Sequence, residues 1–219
     1  MQHSLQCFLK SSIPHSLKEQ RKALERLNCE SPLTLRGHST HSTVSISNKA
    51  VPYAMLEEDV QDDFVHSVAE FFEVHFAHMK AKEPCPFSAD GEFHVEGILT
   101  VLRKPESVDR SITEALDTLV AEVASRQALL KVKNNRVRSF MVGSCDYADL
   151  IQRAAGMRGG NLTEFAIGVN QAITPLIDFS VNSQMNEGVS GVHVAVGDGT
   201  TGYHIDFLCP GVIVESGCA

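Results

Sequence analysis

Residues 191–206, GVHVAVGDGTTGYHID, carry two histidines, two aspartates and a tyrosine among glycines and alternating apolar side chains. The alternation in the first half predicts a strand, and GDGTTG is typical of a turn. Alternation resumes over 203–208 and predicts a second strand. His204 and Asp206 share a face of it, because side chains two apart in a strand point the same way. If the strands pair, His193 can join them around one ion. A hairpin with a buried histidine and two surface acids is an equally good interpretation of these residues alone.

The composition is that of one good-sized domain, or one domain with an appendage. The chain has 219 residues, of which 43% are hydrophobic, and a formal charge of −8. This negative charge argues against a nucleic-acid partner and against binding to anionic membranes. No apolar run is long enough to span a bilayer, and the first residues lack the apolar core of a signal peptide. We therefore expect a cytoplasmic protein with no membrane partner. Its six cysteines are scattered without a CxxC pair, which predicts reduced packing residues.

Hydrophobic periodicity predicts strands with a few helices between them. The predicted helices are 16–28, 56–70, 107–127 and 146–156. The predicted strands include 71–80, 91–104 with a possible bulge at Gly97, 161–170, and a hairpin that turns at Asn134 and Asn135. This order predicts an α+β fold with a mixed or antiparallel sheet and a few packed helices. A loop near Lys82 suggests a boundary between a reduced N-terminal region, 1–82, and a self-contained unit, 83–219.

Five residues at or beside predicted strands are candidate metal ligands: Glu92, Glu164, His193, His204 and Asp206. A two-metal hydrolase needs several such ligands, a bridging carboxylate and an open position for water. Glu164 stands inside the apolar run EFAIGV, where an unpaired carboxylate would be costly. Glu92 follows a glycine in a turn, where a glutamate is ordinarily solvated.

Four segments resemble the thermophilic metalloaminopeptidases of the aminopeptidase T and S type: GE at 91–92, LTEFAIGVN at 162–170, NEGVSGVHVAVGD at 186–198 and HIDF at 204–207. The resemblance covers about residues 85–219 and implies the fold of that family's C-terminal domain, which carries a dinuclear metal site. It implies that all five candidates are metal ligands, with Glu92 and Glu164 as the family's two glutamates. It also implies that Glu187 matches an acidic residue before the first histidine and that Tyr203 replaces a family tyrosine.

Two functions follow from this resemblance. The first is a dinuclear peptide hydrolase that binds zinc, cobalt or manganese and cleaves at peptide N-termini, with Glu187 as general base. The second is a non-catalytic peptide-binding protein on a truncated scaffold, for example one that presents a precursor peptide during maturation of a ribosomal peptide natural product. The second remains open because the family's chains are nearly twice as long and have a longer loop in place of GDGTTGY. A plain structural domain is a third reading. Family members usually dimerise, which implies a possible homodimer.

Overall fold

The computed structural model describes residues 2–28, 31–60 and 66–217, without the side chain of Ser107, and contains two antiparallel sheets and a few helices. The strands are β1 (Leu33–Gly37), β2 (Thr40–Ile46), β3 (Glu73–Ala77), β4 (Phe87–Val95), β5 (Gly97–Val101), β6 (Ala128–Lys133), β7 (Arg136–Val142), β8 (Cys145–Asp146), β9 (Leu162–Gly168), β10 (Gly191–Val196), β11 (His204–Pro210) and β12 (Ile213–Ser216). The α-helices are α1 (Gln2–Lys10), α2 (Ile13–Leu27), α3 (Arg110–Ser125) and α4 (Ala148–Ala154). Short 3₁₀ turns occupy Glu57–Asp59, Ala69–Phe71, Pro105–Ser107, Gly156–Arg158, Gln171–Leu176 and Gln184–Asn186. The predicted α+β class is confirmed.

One sheet has seven strands in the order β12-β1-β2-β4-β6-β7-β8, and the other has five in the order β3-β9-β10-β11-β5. Neighbouring strands are antiparallel throughout both sheets. The region before residue 83 contributes β1 and β2 to the seven-stranded sheet and β3 to the five-stranded sheet. A division at residue 82 therefore does not separate two cores, since strand pairing joins the two regions in both sheets.

The two sheets pack face to face through aromatic side chains. The rings of Phe140 on β7 and Phe207 on β11 are 5.0 Å apart and nearly perpendicular. Those of Phe87 on β4 and Phe165 on β9 are 6.2 Å apart. These rings are buried, and aromatic pairs that meet edge-to-face or at a tilt favour burial of aromatic area. One face of each sheet therefore forms the core, and the other face of each is left for cover or solvent.

Most predicted elements are present, with shifted ends. The clearest predicted helix is α3, whose N-cap Asp109 accepts a hydrogen bond from the Ser111 amide. Asn134 and Asn135 form the predicted turn with φ values of 51° and 58°. Of the helix predicted over 56–70, the described residues form only two short 3₁₀ turns, Glu57–Asp59 and Ala69–Phe71, and residues 61–65 lie outside the described part. None of the described helices has the length and apolarity needed to cross a membrane.

Gly97 is not a bulge in one long strand, as the sequence suggested. β4 ends at Val95 in the seven-stranded sheet and β5 begins at Gly97 in the five-stranded sheet, so the chain changes sheets here. A Cβ at residue 97 would lie 2.2 Å from the Phe179 ring. Glycine is therefore required for the aromatic ring to lie directly on the backbone.

The outer face of the five-stranded sheet is covered by the segment that includes Phe179. The C-terminal end of this segment lies against Gly168, where a Cβ would be 2.1 Å from the carbonyl oxygen of Val189 and 2.9 Å from that of Glu187. Gly97 and Gly168 occupy this outer face, because they pair with Leu208 and Glu73 respectively. Absence of a side chain at these two positions lets residues 179–189, here called the cover segment, lie against the sheet.

Candidate functional site

Polar side chains from four strands converge on the covered face of the five-stranded sheet. Ala195 pairs with Glu164 on one side and with Asp206 on the other, so these three residues form one row across the sheet. The next row contains His193 and, two strands away, His75. Paired residues of antiparallel strands point to the same face. The small side chain of Ala195 leaves space between the two carboxylates.

Two groups of side chains could each hold an ion, and Glu164 belongs to both. Glu73, Glu164 and His193 form one group, and Glu164, His204 and Asp206 form the other. The potential ligand atoms in each group lie within 4.8 Å of one another. Glu164 Oε1 is 3.5 Å from Nε2 of His193, whereas its Oε2 is 3.5 Å from Nε2 of His204. Each oxygen thus faces a different histidine, as in a carboxylate that bridges two ions.

Unsatisfied atoms support a metal at this position. Glu73 Oε2, His193 Nε2 and Asp206 Oδ2 are buried and have no hydrogen-bond partner among the described residues. Buried polar groups normally have a partner, because leaving one unpaired is costly. His204 Nδ1 lies 3.1 Å from the Gly197 carbonyl, so it can donate there and direct Nε2 toward the carboxylates. A histidine that binds a metal commonly has its other ring nitrogen hydrogen-bonded in this way. The unpartnered atoms and the orientation of His204 together mean that the residues present fit a divalent metal.

The electrostatics of the cluster favour charged forms. Burial opposes ionisation of Glu164, but its close contact with His193 and the positive charges of the nearby histidines lower its pKa to about 2. Burial also opposes the charged form of His193, yet Glu164 and Glu73 raise its pKa to about 10. The pKa of His204 is likewise raised to about 10, against burial, chiefly by Asp206. Without a metal the cluster is therefore a set of ion pairs.

Glu187 adjoins this cluster from the cover segment. Burial, followed by the negative charges of Asp206 and Glu73, raises the pKa of Glu187 well above its ordinary value. Without a metal its neutral form is therefore favoured. The catalytic role that the resemblance implies for Glu187 stays a prediction.

Tyr203 does not join the cluster. Its hydroxyl lies 3.0 Å from Thr113 Oγ1 on α3, and its ring is buried in the main core. Tyr203 precedes His204, and neighbouring residues of an extended chain point to opposite sides. The second aspartate of the opening stretch, Asp198, also has a local role, because it accepts hydrogen bonds from the amides of Thr200 and Thr201 in the turn.

Glu92 is not brought to the cluster either. It lies on β4 in the seven-stranded sheet, and its Oε1 is 2.7 Å from Lys131 Nζ. Its side chain is 44% exposed, in keeping with the ordinary solvated glutamate of its turn-like context. The structure instead places Glu73 beside His193, at a distance of 3.4 Å.

Sequence reasoning missed Glu73, although a signal for it was present. The predicted strand 71–80 alternates Phe72, Val74 and Phe76 with other residues, which places Glu73 and His75 on the opposite face. This is the spacing used to select His204 and Asp206. In the structure Glu73 Oε1 lies 3.4 Å from Nδ1 of His75.

Comparison with solved structures shows the class of fold. The chain is similar to wild-type aminopeptidase T (AmpT) from Thermus thermophilus, with a TM-score of 0.50 and 12% sequence identity. The alignment covers 93% of this chain and 50% of that one, so the chain spans about half the length of this structural relative. The fold is thus distantly aminopeptidase-like.

The family is shown by a family model described as crocagin biosynthetic protein CgnE/B, which matches residues 1–216. The chain belongs to this family. A comparison with curated protein sequences gave no match.

Proposed function

We propose that this chain is a non-catalytic peptide-binding protein that acts during maturation of a ribosomally made peptide natural product. Its membership of a biosynthetic family supports the setting. The likeness of its fold to half of an aminopeptidase supports a scaffold suited to peptides.

The observation that carries this proposal is the enclosure of the metal-ligand cluster. His193 and Asp206 are each 1% exposed, and Glu164 is 8% exposed. Hydrolysis requires the scissile carbonyl to reach the catalytic groups within hydrogen-bond distance. The cover segment lies over the face that a substrate would approach, so binding elsewhere on the molecule fits the structure better than cleavage at the cluster.

A large concave surface lies on the solvent side of the seven-stranded sheet. Its cavity of about 760 Å³ is within the range of ligand pockets. It is lined by Thr34, Leu35, Arg36, His41, Ser42, Thr43, Asp90, Gly91, Glu92, Lys131, Val132, Lys133 and Arg138. We call this surface the sheet groove. Among the candidate metal ligands, only Glu92 lines it.

The lysines of two ion pairs in the sheet groove could instead pair with acidic groups of a peptide. Lys131 lies 2.7 Å from Glu92, and Lys133 lies 3.1 Å from Asp90. Both lysines are about half exposed or more, with values of 49% and 66%. Exposed ion pairs contribute little to stability, so the two lysines can be re-paired with acidic groups of a ligand at small cost.

A bulky side chain introduced into the sheet groove tests whether the groove binds a peptide. Thr43→Trp places a large side chain in the cavity, and Thr118→Trp on the exposed side of α3 is the matched control. Synthetic peptides covering the open reading frames next to the gene are titrated by calorimetry, with and without chelator. We expect Thr43→Trp to weaken binding at least about tenfold, the control and the chelator to leave it unchanged, and mass spectrometry to find intact peptide. Metal-dependent cleavage of the peptide would overturn the proposal.

A second candidate is a metal-dependent peptide hydrolase, favoured by the position of Glu164 between two histidine-containing groups. Glu73, Glu164, His193, His204 and Asp206 would hold zinc, cobalt or manganese, which would supply Lewis-acid polarisation of a peptide carbonyl. Glu187 would transfer the proton, and movement of the cover segment would be required for substrate entry. Cleavage of aminoacyl p-nitroanilides by metal-loaded protein, lost in Glu187→Gln, would support this candidate. A metal content well below one equivalent after saturating dialysis would exclude it.

A further inference from the structure

Arg158 is a buried cation that lies apart from the cluster and from the sheet groove. It ends the 3₁₀ turn Gly156–Arg158 after α4 and is 7% exposed. Its guanidinium reaches the chain just beyond β3, where Nη2 donates to the carbonyl of His78 at 2.6 Å and Nη1 to that of Met79 at 3.4 Å.

The neighbouring histidine does not supply a counter-charge. Arg158 Nη2 lies 3.1 Å from Nδ1 of His78, and Nε2 of that ring lies 2.8 Å from the carbonyl of Glu83. Both contacts are satisfied by a neutral imidazole that accepts at Nδ1 and donates from Nε2. His78 is therefore a hydrogen-bond acceptor for the arginine and not an anion.

No carboxylate in residues 2–28, 31–60 and 66–217 forms an ion pair with Arg158, which contacts two carbonyls and one imidazole nitrogen. A guanidinium has five N–H donors, so Nε–H and one Nη1–H have no protein acceptor in the same part of the chain. A buried charge is costly unless it is paired. Arg158 can therefore bind an anion, one that the described residues do not provide.

A cavity of about 260 Å³ adjoins this guanidinium. It is lined by His78, Ala81, Cys85, Asn135, Met157, Arg158, Asn161 and Leu162. Asn135 is a fixed part of the wall, since its side chain bonds the backbone of Phe87 and Ala89. Met157 is 88% exposed, so an apolar group stands next to the buried charge.

We propose that this cavity binds a carboxylate, with Arg158 as the counter-charge and Met157 contacting the adjoining apolar group. Arginine recognises carboxylates through paired N–H donors, and its unused Nε–H and Nη1–H suit this mode. The ligand is a small carboxylate, or the end or acidic side chain of a peptide. The proposal does not depend on the sheet groove, because it requires only the contacts of Arg158.

Four probes separate the possible sources of the anion. N-acetyl-leucine carries a C-terminal carboxylate, N-acetyl-leucinamide lacks it, N-acetyl-aspartic α-amide carries a side-chain carboxylate, and inorganic phosphate is a different anion. Each is titrated into ¹⁵N-labelled protein while the Arg158 Nε–H resonance is followed. We expect saturable shifts with the carboxylates and none with N-acetyl-leucinamide. Equal responses to all four probes, or none to any, would sink the proposal. A response to phosphate alone would likewise reject a carboxylate site.

Substitution of Arg158 separates a role in binding a carboxylate from a role in holding the chain beyond β3. Arg158→Gln keeps an amide donor but removes the charge, and Arg153→Gln on α4, which is exposed and pairs with Asp149, is the matched control. We expect Arg158→Gln to weaken N-acetyl-leucine binding at least about tenfold, read from backbone amide shifts, and the control to leave it unchanged. If Arg158 only clamps the chain beyond β3, Arg158→Gln will lower the melting temperature yet leave the preference for N-acetyl-leucine over its amide intact. Arg158→Lys, which keeps the charge, retains part of that preference if the site is real.

Discussion

Glu73 Oε2 lies 3.4 Å from Nε2 of His193, and neither atom has a hydrogen-bond partner among the described residues. The two residues come from β3 and β10, which are separated in the sheet by β9. The strand between them, β9, has small residues such as Ala166 on this face, and these let the side chains of Glu73 and His193 meet above the sheet. This contact completes the candidate metal site with a residue from the N-terminal third of the chain.

Glu73→Gln is expected to lower zinc affinity by at least about tenfold, because it replaces a negatively charged carboxylate ligand with a neutral amide. Glu92→Gln is the matched control, since Glu92 is held by Lys131 in the other sheet. Competition titration with a chromophoric chelator measures both affinities. An equal loss in the two variants would contradict this assignment and restore Glu92 as a ligand.

Zinc is expected to stabilise the folded chain. A ligand at one hundred times its dissociation constant adds about 2.7 kcal/mol, which is about 5–10 °C in melting temperature for a chain of this size. Differential scanning calorimetry with and without chelator tests this. The shift should disappear in Asp206→Asn, whose parent carboxylate has an unpartnered buried oxygen. An unchanged melting temperature in the wild-type chain would mean that the cluster is a set of ion pairs only.

Local pattern was sufficient to predict much of the fold. Alternation predicted β10 and β11 and put His204 and Asp206 on one face, where Nε2 and Oδ1 are 3.1 Å apart. Glu164 was selected because it interrupts an apolar run, and the structure buries it between the histidines. These inferences succeeded because they depend only on neighbours in the same or the next strand.

Long-range pairing could not be predicted in the same way. Nothing local to Glu73 shows that β3 pairs with β9, so Glu92, which lies beside a predicted strand and matches the family resemblance, was selected instead. The continuous apolar pattern around Gly97 hid the change of sheet, because both sheets accept the same alternation. The position of the cover segment could not be predicted either, since its contact with Gly168 involves backbone atoms that leave no side-chain pattern.

Tyr203→Phe is expected to leave zinc affinity and peptide binding unchanged. It removes only the hydroxyl contact with Thr113, which is worth about 0.5–1.5 kcal/mol in the free energy of unfolding. Urea denaturation of Tyr203→Phe, Thr113→Val and the double variant measures the coupling between the two side chains. A loss of zinc affinity in Tyr203→Phe would show that the tyrosine reaches the cluster after all.

Asn135→Ala is expected to destabilise the chain by about 1–3 kcal/mol. Its amide donates to the Phe87 carbonyl at 2.6 Å, and its oxygen accepts from the Ala89 amide at 2.6 Å. Asn134 has the same left-handed conformation, and Asn134→Ala is the control, because it introduces the same backbone strain without removing these two hydrogen bonds. Equal losses of unfolding free energy in both variants would mean that backbone conformation, not the side-chain bonds, determines the effect.

Gly97→Ala is expected to displace the cover segment, because the added Cβ would lie 2.2 Å from the Phe179 ring. Overpacking of this kind costs about 1–3 kcal/mol in the free energy of unfolding, and amide exchange over 179–189 should accelerate. Phe179→Ala removes the clash, so the double variant should lose less stability than the sum of the single variants. If displacement of the cover segment exposes the cluster, Gly97→Ala will also bind and release zinc faster than the wild-type chain. Unchanged zinc kinetics with faster amide exchange would show that the segment does not control access to the cluster.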